Sequence, residues 1–124
     1  MSGTAKKVLL AEDEKSMSQA LELKLTQAGF EVKTSFDGRA ALDRLLKEYF
    51  DLVLLDIVMP KMSGFEVLKE LQLRKVEVPV IVMSNLGQAE DKRRALELGA
   101  KDYLVKADIP IANFIEYVKK TLGV

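Results

Sequence analysis

The chain contains neither cysteine nor histidine, and both absences exclude chemistry. Without cysteine it forms no disulfides and performs no thiol chemistry, and without histidine it lacks the commonest zinc ligand and general base. Serine–histidine triads and histidine metal sites are therefore excluded. The formal net charge is also zero, with 19 Lys and Arg residues against 19 Asp and Glu residues. This balance provides no bulk attraction to nucleic acid or to an anionic membrane, so we expect neither as a partner.

Long apolar runs are absent as well. No segment approaches about 18 uninterrupted apolar residues, and the first seven residues contain no apolar run of the kind found in signal peptides. At 124 residues and 48% hydrophobic, the chain is expected to form one globular domain with one core, located in the cytoplasm. We expect this domain to occupy residues 1–124, with a polar N-terminal tail at residues 1–6 and no output domain.

Two patterns alternate along the chain. Five short runs, largely aliphatic or β-branched, predict strands, and stretches between them carry apolar residues at helical spacing. Gly29 and Gly99 are predicted to end the first and fourth helices. The order is therefore five β–α units. The predicted strands are Val8–Ala11, Val32–Phe36, Leu52–Leu55, Val80–Met83 and Tyr103–Val105.

The first, third and fourth of these runs are nearly continuous in apolar residues, which is typical of parallel strands covered by helices on both faces. The second and fifth runs are more mixed, as expected for strands at the edges of a sheet. Because crossovers between parallel strands are right-handed, the helices fall on both sides of one twisted sheet. The sequence therefore predicts a doubly wound, three-layer α/β sandwich.

Four of the predicted strands end on residues that can hold, accept or bind a phosphoryl group. The carboxyl ends of parallel strands share one edge, where ligands bind, so we expect these residues to meet. Together they would offer two acids for a cation, a central nucleophilic carboxylate, a hydroxyl donor and a fixed ammonium, as phosphoryl transfer requires. In chain order these residues are Glu12 with Asp13, Asp56, Ser84 and Lys106.

Each of these residues also has an ordinary structural explanation. Asp56 alone would be a polar strand end, Ser84 a turn former and Lys106 a solvated charge. Glu12 and Asp13 would favour the N-terminus of the following helix. Three carboxylates at one edge, however, would repel one another and raise their pKa values unless a cation were present. Magnesium is the natural candidate, because it prefers oxygen ligands and is commonly held by carboxylates together with phosphate oxygens.

Three stretches of the chain carry a resemblance to the receiver domain of response regulators. They are Val8–Glu14, Asp56–Gly64 and Gly99–Lys106, and the resemblance covers roughly residues 6–122. Each stretch alone is weakly specific, but all three in this order and at these spacings are strongly so. The family implies a flavodoxin-like strand order 2-1-3-4-5. It also implies that Asp56 accepts a phosphoryl group from the phosphohistidine of a histidine kinase or histidine phosphotransfer protein.

The resemblance assigns a role to each acid near the phospho-acceptor. Asp13 and Asp56 would be direct ligands of Mg²⁺ or Mn²⁺, and Glu12 would act through water. The backbone carbonyl of Val58 would complete the protein ligands.

The resemblance also assigns the groups that contact phosphate and signal its presence. Ser84 and Lys106 would contact the transferred group, and Lys106 would contact Asp56 before phosphorylation. Ser84 would move toward the phosphoryl oxygens, and Tyr103 would follow inward as the second switch residue. The surface read by partners would lie on the fourth helix, fifth strand and fifth helix.

Three positions depart from the family pattern. Glu12 stands where the family more often has Asp, and its longer arm either shifts a bridging water or reaches the metal directly. Asn85 replaces a small residue and would narrow access to the carboxylate. Ala107 replaces a proline that usually has a cis bond. Because a cis non-proline bond costs about 2.5 to 4 kcal/mol, either that strain is present or the loop takes another path.

The expected function is that of a phospho-acceptor switch, which assists its own phosphorylation and dephosphorylation but is not a multiple-turnover enzyme. It would change the binding of a downstream protein or of a second copy of the chain. An unphosphorylated interaction module would lack one or more of Asp13, Asp56 and Lys106, and all three are present. An aspartate-nucleophile phosphatase of the haloacid dehalogenase type would need a second acid at the position of Val58.

Overall fold

The computed structural model of the chain describes residues 5–124, so residues 1–4 of the polar tail predicted at 1–6 lie outside the described part. Strands and helices alternate throughout. The strands are β1 Lys7–Ala11, β2 Glu31–Ser35, β3 Leu52–Leu55, β4 Val80–Ser84 and β5 Asp102–Val105. The helices are α1 Lys15–Gln27, α2 Gly38–Lys47, α3 Gly64–Leu73, α4 Ala89–Glu97 and α5 Ile111–Leu122, and a 3-10 turn, Lys106–Asp108, precedes α5.

The five strands form one parallel sheet in the order β2-β1-β3-β4-β5. This confirms the predicted strand order and places the two mixed strands, β2 and β5, at the edges. The register aligns the carboxyl ends of the strands, since Ala11 pairs with both Ser35 and Leu55, and Ser84 pairs with Val105. The residues that follow the strands therefore share one edge of the sheet.

The sheet separates two hydrophobic cores. The first core lies between the sheet and α2, α3 and α4, and the second lies between the sheet and α1 and α5. Alternate residues of each strand point to opposite faces, so Val53 and Leu55 enter the first core while Leu52 and Leu54 enter the second. This arrangement explains the continuous apolar sequence of β3 and confirms the three-layer sandwich.

Several helix ends are set by single residues. Gly29 and Gly99 have φ angles of +100° and +104° directly after α1 and α4, a conformation that glycine adopts at little cost. Asp37 caps α2 by accepting a hydrogen bond from the Ala40 N–H at 2.7 Å. The predicted end of β2 at Phe36 is one residue too far, because Phe36 is exposed and β2 ends at Ser35.

The sequence left open whether the loop after β5 contains a cis peptide bond before Ala107 or takes another path, and the structure shows another path. None of the peptide bonds among residues 5–124 is cis, and the chain leaves Lys106 through the 3-10 turn. Within the same residues, no helix combines the length and the hydropathy that crossing a membrane requires.

A hydrogen bond ties α5 to the edge strand β5. The Tyr117 hydroxyl donates to one oxygen of the Asp102 carboxylate, and the other oxygen accepts from the Tyr103 N–H at 2.8 Å. Burial of the phenol and this hydrogen bond raise the pKa of Tyr117 to about 12. The folded protein therefore holds the phenolic proton more tightly than an unfolded chain does.

We predict that Tyr117→Phe lowers the free energy of unfolding by about 1 kcal/mol at neutral pH, because it removes this hydrogen bond. The stabilisation is complete below pH 10.0, the ordinary pKa of tyrosine, and is lost as the pH rises toward 12. The difference from wild type should therefore shrink over that range. Urea unfolding at a series of pH values measures it. Tyr49→Phe removes a solvent-exposed hydrogen bond to Asp51 from a residue that is 75% exposed, and it is the comparison for the same loss at the surface. A difference that stays constant up to pH 12 would contradict the prediction.

Candidate functional site

The structure brings the predicted acids, hydroxyl and ammonium together at the carboxyl edge of the sheet. Glu12 and Asp13 follow β1, Asp56 follows β3, Ser84 is the last residue of β4, and Lys106 follows β5. One carboxylate oxygen from each of the three acids lies within 4.8 Å of the other two. The parallel topology has therefore assembled residues separated by almost a hundred positions in the chain.

The sheet itself positions two of these acids. Its hydrogen-bond ladder continues one residue beyond the strands, because the Glu12 N–H donates to the Ser35 carbonyl and the Asp56 N–H donates to the Ala11 carbonyl, each at 3.0 Å. The two backbones are thus fixed side by side. Their carboxylates must then occupy the same small region above the strand ends.

Asp56 is nearly buried, at 5% exposure, and both of its carboxylate oxygens accept hydrogen bonds. One oxygen accepts from the Ile57 N–H at 2.7 Å and the Val58 N–H at 3.4 Å. The other accepts from the Lys106 ammonium at 2.9 Å, which is the contact between these residues that the sequence predicts. A carboxylate held in this way has a fixed orientation, with its charge partly balanced.

Glu12 is fully buried, and its long side chain reaches Lys106. One oxygen accepts from the Lys106 ammonium, and the other accepts from the Glu14 N–H at 3.1 Å. Burial raises the pKa of Glu12, against the lowering effect of its hydrogen bond to Lys106. The longer arm of Glu12 was expected either to shift a bridging water or to reach a metal directly, and both stay predictions. The arm is occupied by the ammonium and a backbone amide.

Lys106 lies between two carboxylates. Burial opposes its positive charge, but the hydrogen bonds that it donates to Glu12 and Asp56 more than offset this effect and raise the pKa of Lys106. The ammonium therefore stays charged at neutral pH. With the three acids ionised, the site carries two net negative charges.

Asp13 and Val58 face outward at the rim of the site. Asp13 is the exposed member of the three acids, and the Val58 side chain is 59% exposed in the loop that follows Asp56. The donor set of three carboxylates and two net negative charges fits a small divalent cation with a preference for oxygen, such as Mg²⁺.

Ser84 and Tyr103 are joined through one residue of the β4–α4 loop, Leu86. The buried Ser84 hydroxyl accepts from the Leu86 N–H at 3.2 Å, and the Tyr103 hydroxyl donates to the Leu86 carbonyl at 2.5 Å. Burial also raises the pKa of Tyr103. The two predicted switch residues therefore hold the same backbone segment from two sides.

Tyr103 already has the inward position that was expected to follow phosphorylation, and its movement stays a prediction. Its ring is only 5% exposed and packs in the first core, and its hydroxyl has a backbone partner there. The inward position is favourable because it buries the aromatic ring while keeping the hydroxyl hydrogen-bonded. The outer face of α4, β5 and α5 is formed by other side chains.

Sequence reasoning named the Val58 carbonyl but missed the backbone amides of the site. The amides of Glu14, Ile57 and Leu86 bind Glu12, Asp56 and Ser84 respectively. Side-chain identity carries no signal for such contacts. Gly64 is the one residue whose type indicates close backbone packing here, because a Cβ at this position would lie 2.3 Å from the Asp56 carbonyl oxygen.

Comparison with known proteins agrees with this geometry. The family model described as the response regulator receiver domain matches residues 8–119. The solved receiver domain of the Francisella response regulator 1452 is similar, with a TM-score of 0.88 and 32% identity over 95% of this chain and 97% of that chain.

Two curated relatives are longer proteins. The probable transcriptional regulator ycf27 of Galdieria sulphuraria is 43% identical over 104 residues, which are 84% of this chain and 40% of that protein. The transcriptional regulatory protein DltR of Streptococcus agalactiae is 42% identical over 100 residues, which are 81% of this chain and 45% of that protein. The chain thus spans less than half the length of either relative.

The names of these relatives are at odds with the expectation of no nucleic-acid partner, because both are transcriptional regulators. The zero net charge bears only on the chain itself. The family match over residues 8–119, the strand order and the likeness to a solved receiver domain agree with one another. The chain belongs to the response regulator receiver domain family.

Proposed function

We propose that the chain is a phospho-accepting switch in which Asp56 takes a phosphoryl group from the phosphohistidine of a histidine kinase or histidine phosphotransfer protein. The observation that carries the proposal is the setting of Asp56. Backbone amides hold one of its oxygens, the Lys106 ammonium contacts the other, and Glu12 and Asp13 complete an acidic cluster within 4.8 Å.

In the proposed reaction, an Asp56 carboxylate oxygen attacks phosphorus and forms a P–O bond. The P–N bond to the donor's imidazole breaks, and the imidazole leaves with the electron pair and takes up a proton from water. The product is an acyl phosphate, a known form of covalent catalysis by carboxylates. Absence of histidine from the chain is consistent with a donor supplied by another protein.

Lys106 and Ser84 would stabilise the transferred group. The Lys106 ammonium already contacts Asp56 at 2.9 Å, so it lies beside the position that the phosphoryl oxygens would take. The Ser84 hydroxyl can donate to the same oxygens if it turns from Leu86. Fixed donors of this kind stabilise the charge that develops in phosphoryl transfer.

A divalent cation, Mg²⁺ or Mn²⁺, would be held by Asp13, Asp56 and the backbone carbonyl of Val58, with Glu12 acting through water. The bound ion would supply positive charge to an acidic site that otherwise repels an incoming phosphoryl group. An indirect role for Glu12 is supported by its contacts, since both of its oxygens already accept hydrogen bonds.

Phosphorylation would change partner binding through the β4–α4 loop. If the Ser84 hydroxyl turns toward phosphate, it releases the Leu86 N–H, while Tyr103 still holds the carbonyl of the same residue. The loop leads directly into α4, so the face formed by α4, β5 and α5 is the proposed output surface. Phosphate shifts this equilibrium only through its differential affinity for the two conformers. The reader of the surface would be a downstream protein or a second copy of the chain.

The first prediction for this function is that acetyl phosphate labels Asp56 only when a divalent cation is present. The acidic cluster repels the anionic donor until the cation neutralises it. Intact-mass measurement with and without chelator tests this expectation. Labelling of Asp56→Asn at the same position, or labelling that is unaffected by chelator, would refute the mechanism.

A matched pair of variants separates the site from ordinary surface charge. Asp13→Ala should weaken magnesium binding by about tenfold or more, because it removes a proposed ligand. Glu116→Ala removes an exposed acid of α5 and should leave magnesium binding unchanged. Equal affinities of the two variants would exclude Asp13 as a ligand.

The second prediction concerns the ammonium. Lys106→Met leaves Glu12 and Asp56 buried without their cation, which should lower the free energy of unfolding by on the order of 3 kcal/mol at neutral pH. Glu12 already has a raised pKa in the folded protein, and losing Lys106 should raise it further. The deficit should therefore shrink as the pH falls toward 4.5, the ordinary value for glutamate.

Denaturant unfolding across this pH range, in chelator, measures the effect of Lys106→Met. Lys120→Met removes an exposed lysine of α5 and serves as the control. If the two variants are equally stable at pH 7, the carboxylates do not depend on the ammonium.

The third prediction concerns output. Adding beryllofluoride, a phosphoryl mimic, with Mg²⁺ should change amide exchange in the β4–α4 loop, along α4 and in β5, because Leu86 joins the switch residues to these elements. Hydrogen exchange with peptide resolution detects this. Changes confined to the loops that carry Asp13, Asp56 and Lys106 would show that the output face is elsewhere.

A further inference from the structure

The loop between β3 and α3, residues 57–63, is seated on the N-terminus of α2. We call it the acceptor loop, because it follows Asp56. The Gly38 N–H, at the start of α2, donates to the Pro60 carbonyl at 3.3 Å. The Lys61 ammonium lies 3.8 Å from the carboxylate of Asp37, the residue that caps the same helix. Two successive residues of the α2 terminus therefore contact two successive residues of the loop.

The approach of the two backbones is too close for any side chain at position 38. A Cβ on Gly38 would lie 1.8 Å from the Met62 carbonyl oxygen and 2.6 Å from its carbonyl carbon. Both are backbone atoms, so no rotation of a side chain can relieve the overlap. Gly38 lacks the positive φ of Gly29 and Gly99, so the position requires glycine for space and not for backbone conformation.

The acceptor loop has little freedom to absorb such an overlap. Within it, the Met62 N–H donates to the Pro60 carbonyl at 2.7 Å, and Lys61 has a φ of +68°, a conformation that is uncommon for a residue with a side chain. The Met62 side chain packs against the first core. At the start of the loop, the Ile57 carbonyl accepts from the Gly64 N–H at 2.8 Å. A displacement at Met62 would therefore be passed along the loop toward Asp56.

We propose that Gly38 is a positioning residue for the phosphoryl-acceptor site. The N-terminus of α2 sets the position of the acceptor loop, and the loop in turn sets the backbone around Asp56 and Val58. This inference rests on the proposed function. Gly38 contacts neither the carboxylates nor the ammonium, and it acts only through the loop.

The coupling works in both directions, because linkage between two parts of one protein is reciprocal. A cation bound beside Asp56 and the acceptor loop would stabilise the loop in the position in which it contacts Gly38. Binding at the site should therefore protect the Gly38 amide, which donates to the loop at Pro60.

The test measures magnesium binding to the full chain by calorimetry. Gly38→Ala should reduce the affinity for Mg²⁺ by about tenfold or more, in the range found for residues that orient metal ligands. Gly87→Ala is the matched control, since a Cβ there would meet only Val105 methyl groups at 4.0 Å and should leave the affinity unchanged. Wild-type affinity in Gly38→Ala would overturn the proposal.

A second control separates positioning from loss of stability. Val118→Ala removes buried methyl groups from the second core, on the opposite face of the sheet from α2. It should destabilise the protein while leaving the affinity for Mg²⁺ near that of wild type. If Val118→Ala loses as much affinity as Gly38→Ala, the effect is one of stability and the proposal fails.

Amide exchange of the wild-type chain provides a measurement that needs no variant, should Gly38→Ala not fold. Adding Mg²⁺ should slow exchange of the Gly38 amide and leave the Gly99 amide, after α4, unchanged. Equal exchange of the Gly38 amide with and without Mg²⁺ overturns the proposal. If wild type binds no Mg²⁺, the proposed function itself fails together with this inference, whereas a wild type that binds Mg²⁺ with no effect at Gly38 refutes the inference alone.

Discussion

One buried ammonium makes the carboxyl edge of this sheet possible. Lys106 donates to Glu12, which is fully buried, and to Asp56, which is nearly so. Two carboxylates this close together and this poorly hydrated would otherwise repel each other and take up protons. The ion pairs allow both acids to remain where the hydrogen-bond ladder of the sheet places them. The remaining negative charge of the cluster favours a cation.

The charge at the site also bears on the proposed response to phosphate. A buried ion pair adds little net stability compared with apolar packing, because removing its charges from water is costly. Its value here is geometric, since Lys106 is held beside Asp56 by a second carboxylate, that of Glu12. If Asp56 is phosphorylated as proposed, Glu12 would still hold the Lys106 ammonium near the new phosphoryl oxygens.

The fold was predictable from the sequence because its signals are periodic and local. Continuous apolar runs marked the buried strands, and the residues after them fell on one edge as soon as the sheet was parallel. The cluster of Glu12, Asp13 and Asp56 followed from that topology, and the contact of Lys106 with Asp56 was implied by the family resemblance. The ends of the strands were predicted only to within about one residue, because they depend on hydrogen bonds that the amino-acid composition does not encode.

What the sequence did not predict depends on distances of a few ångströms between distant segments. The arm of Glu12 was considered only in relation to a metal, because nothing in the sequence shows that the ammonium is nearer. Tyr103 was expected to turn inward only on phosphorylation, although a core position and the Leu86 carbonyl were already available to it. Gly38 packs against the backbone of Met62. The only sign of this contact in the sequence is the glycine itself.

These contacts connect the surroundings of Asp56 to two separate parts of the molecule. On one side, Ser84 and Tyr103 share the backbone of Leu86, which leads into α4. On the other side, the acceptor loop lies against α2 through Gly38 and carries Val58 beside the carboxylate. The packed interior between them transmits displacement because it has few voids to absorb it. In the proposed function, a change of charge and volume at Asp56 would therefore bear on the backbone on both sides, at Leu86 and in the acceptor loop.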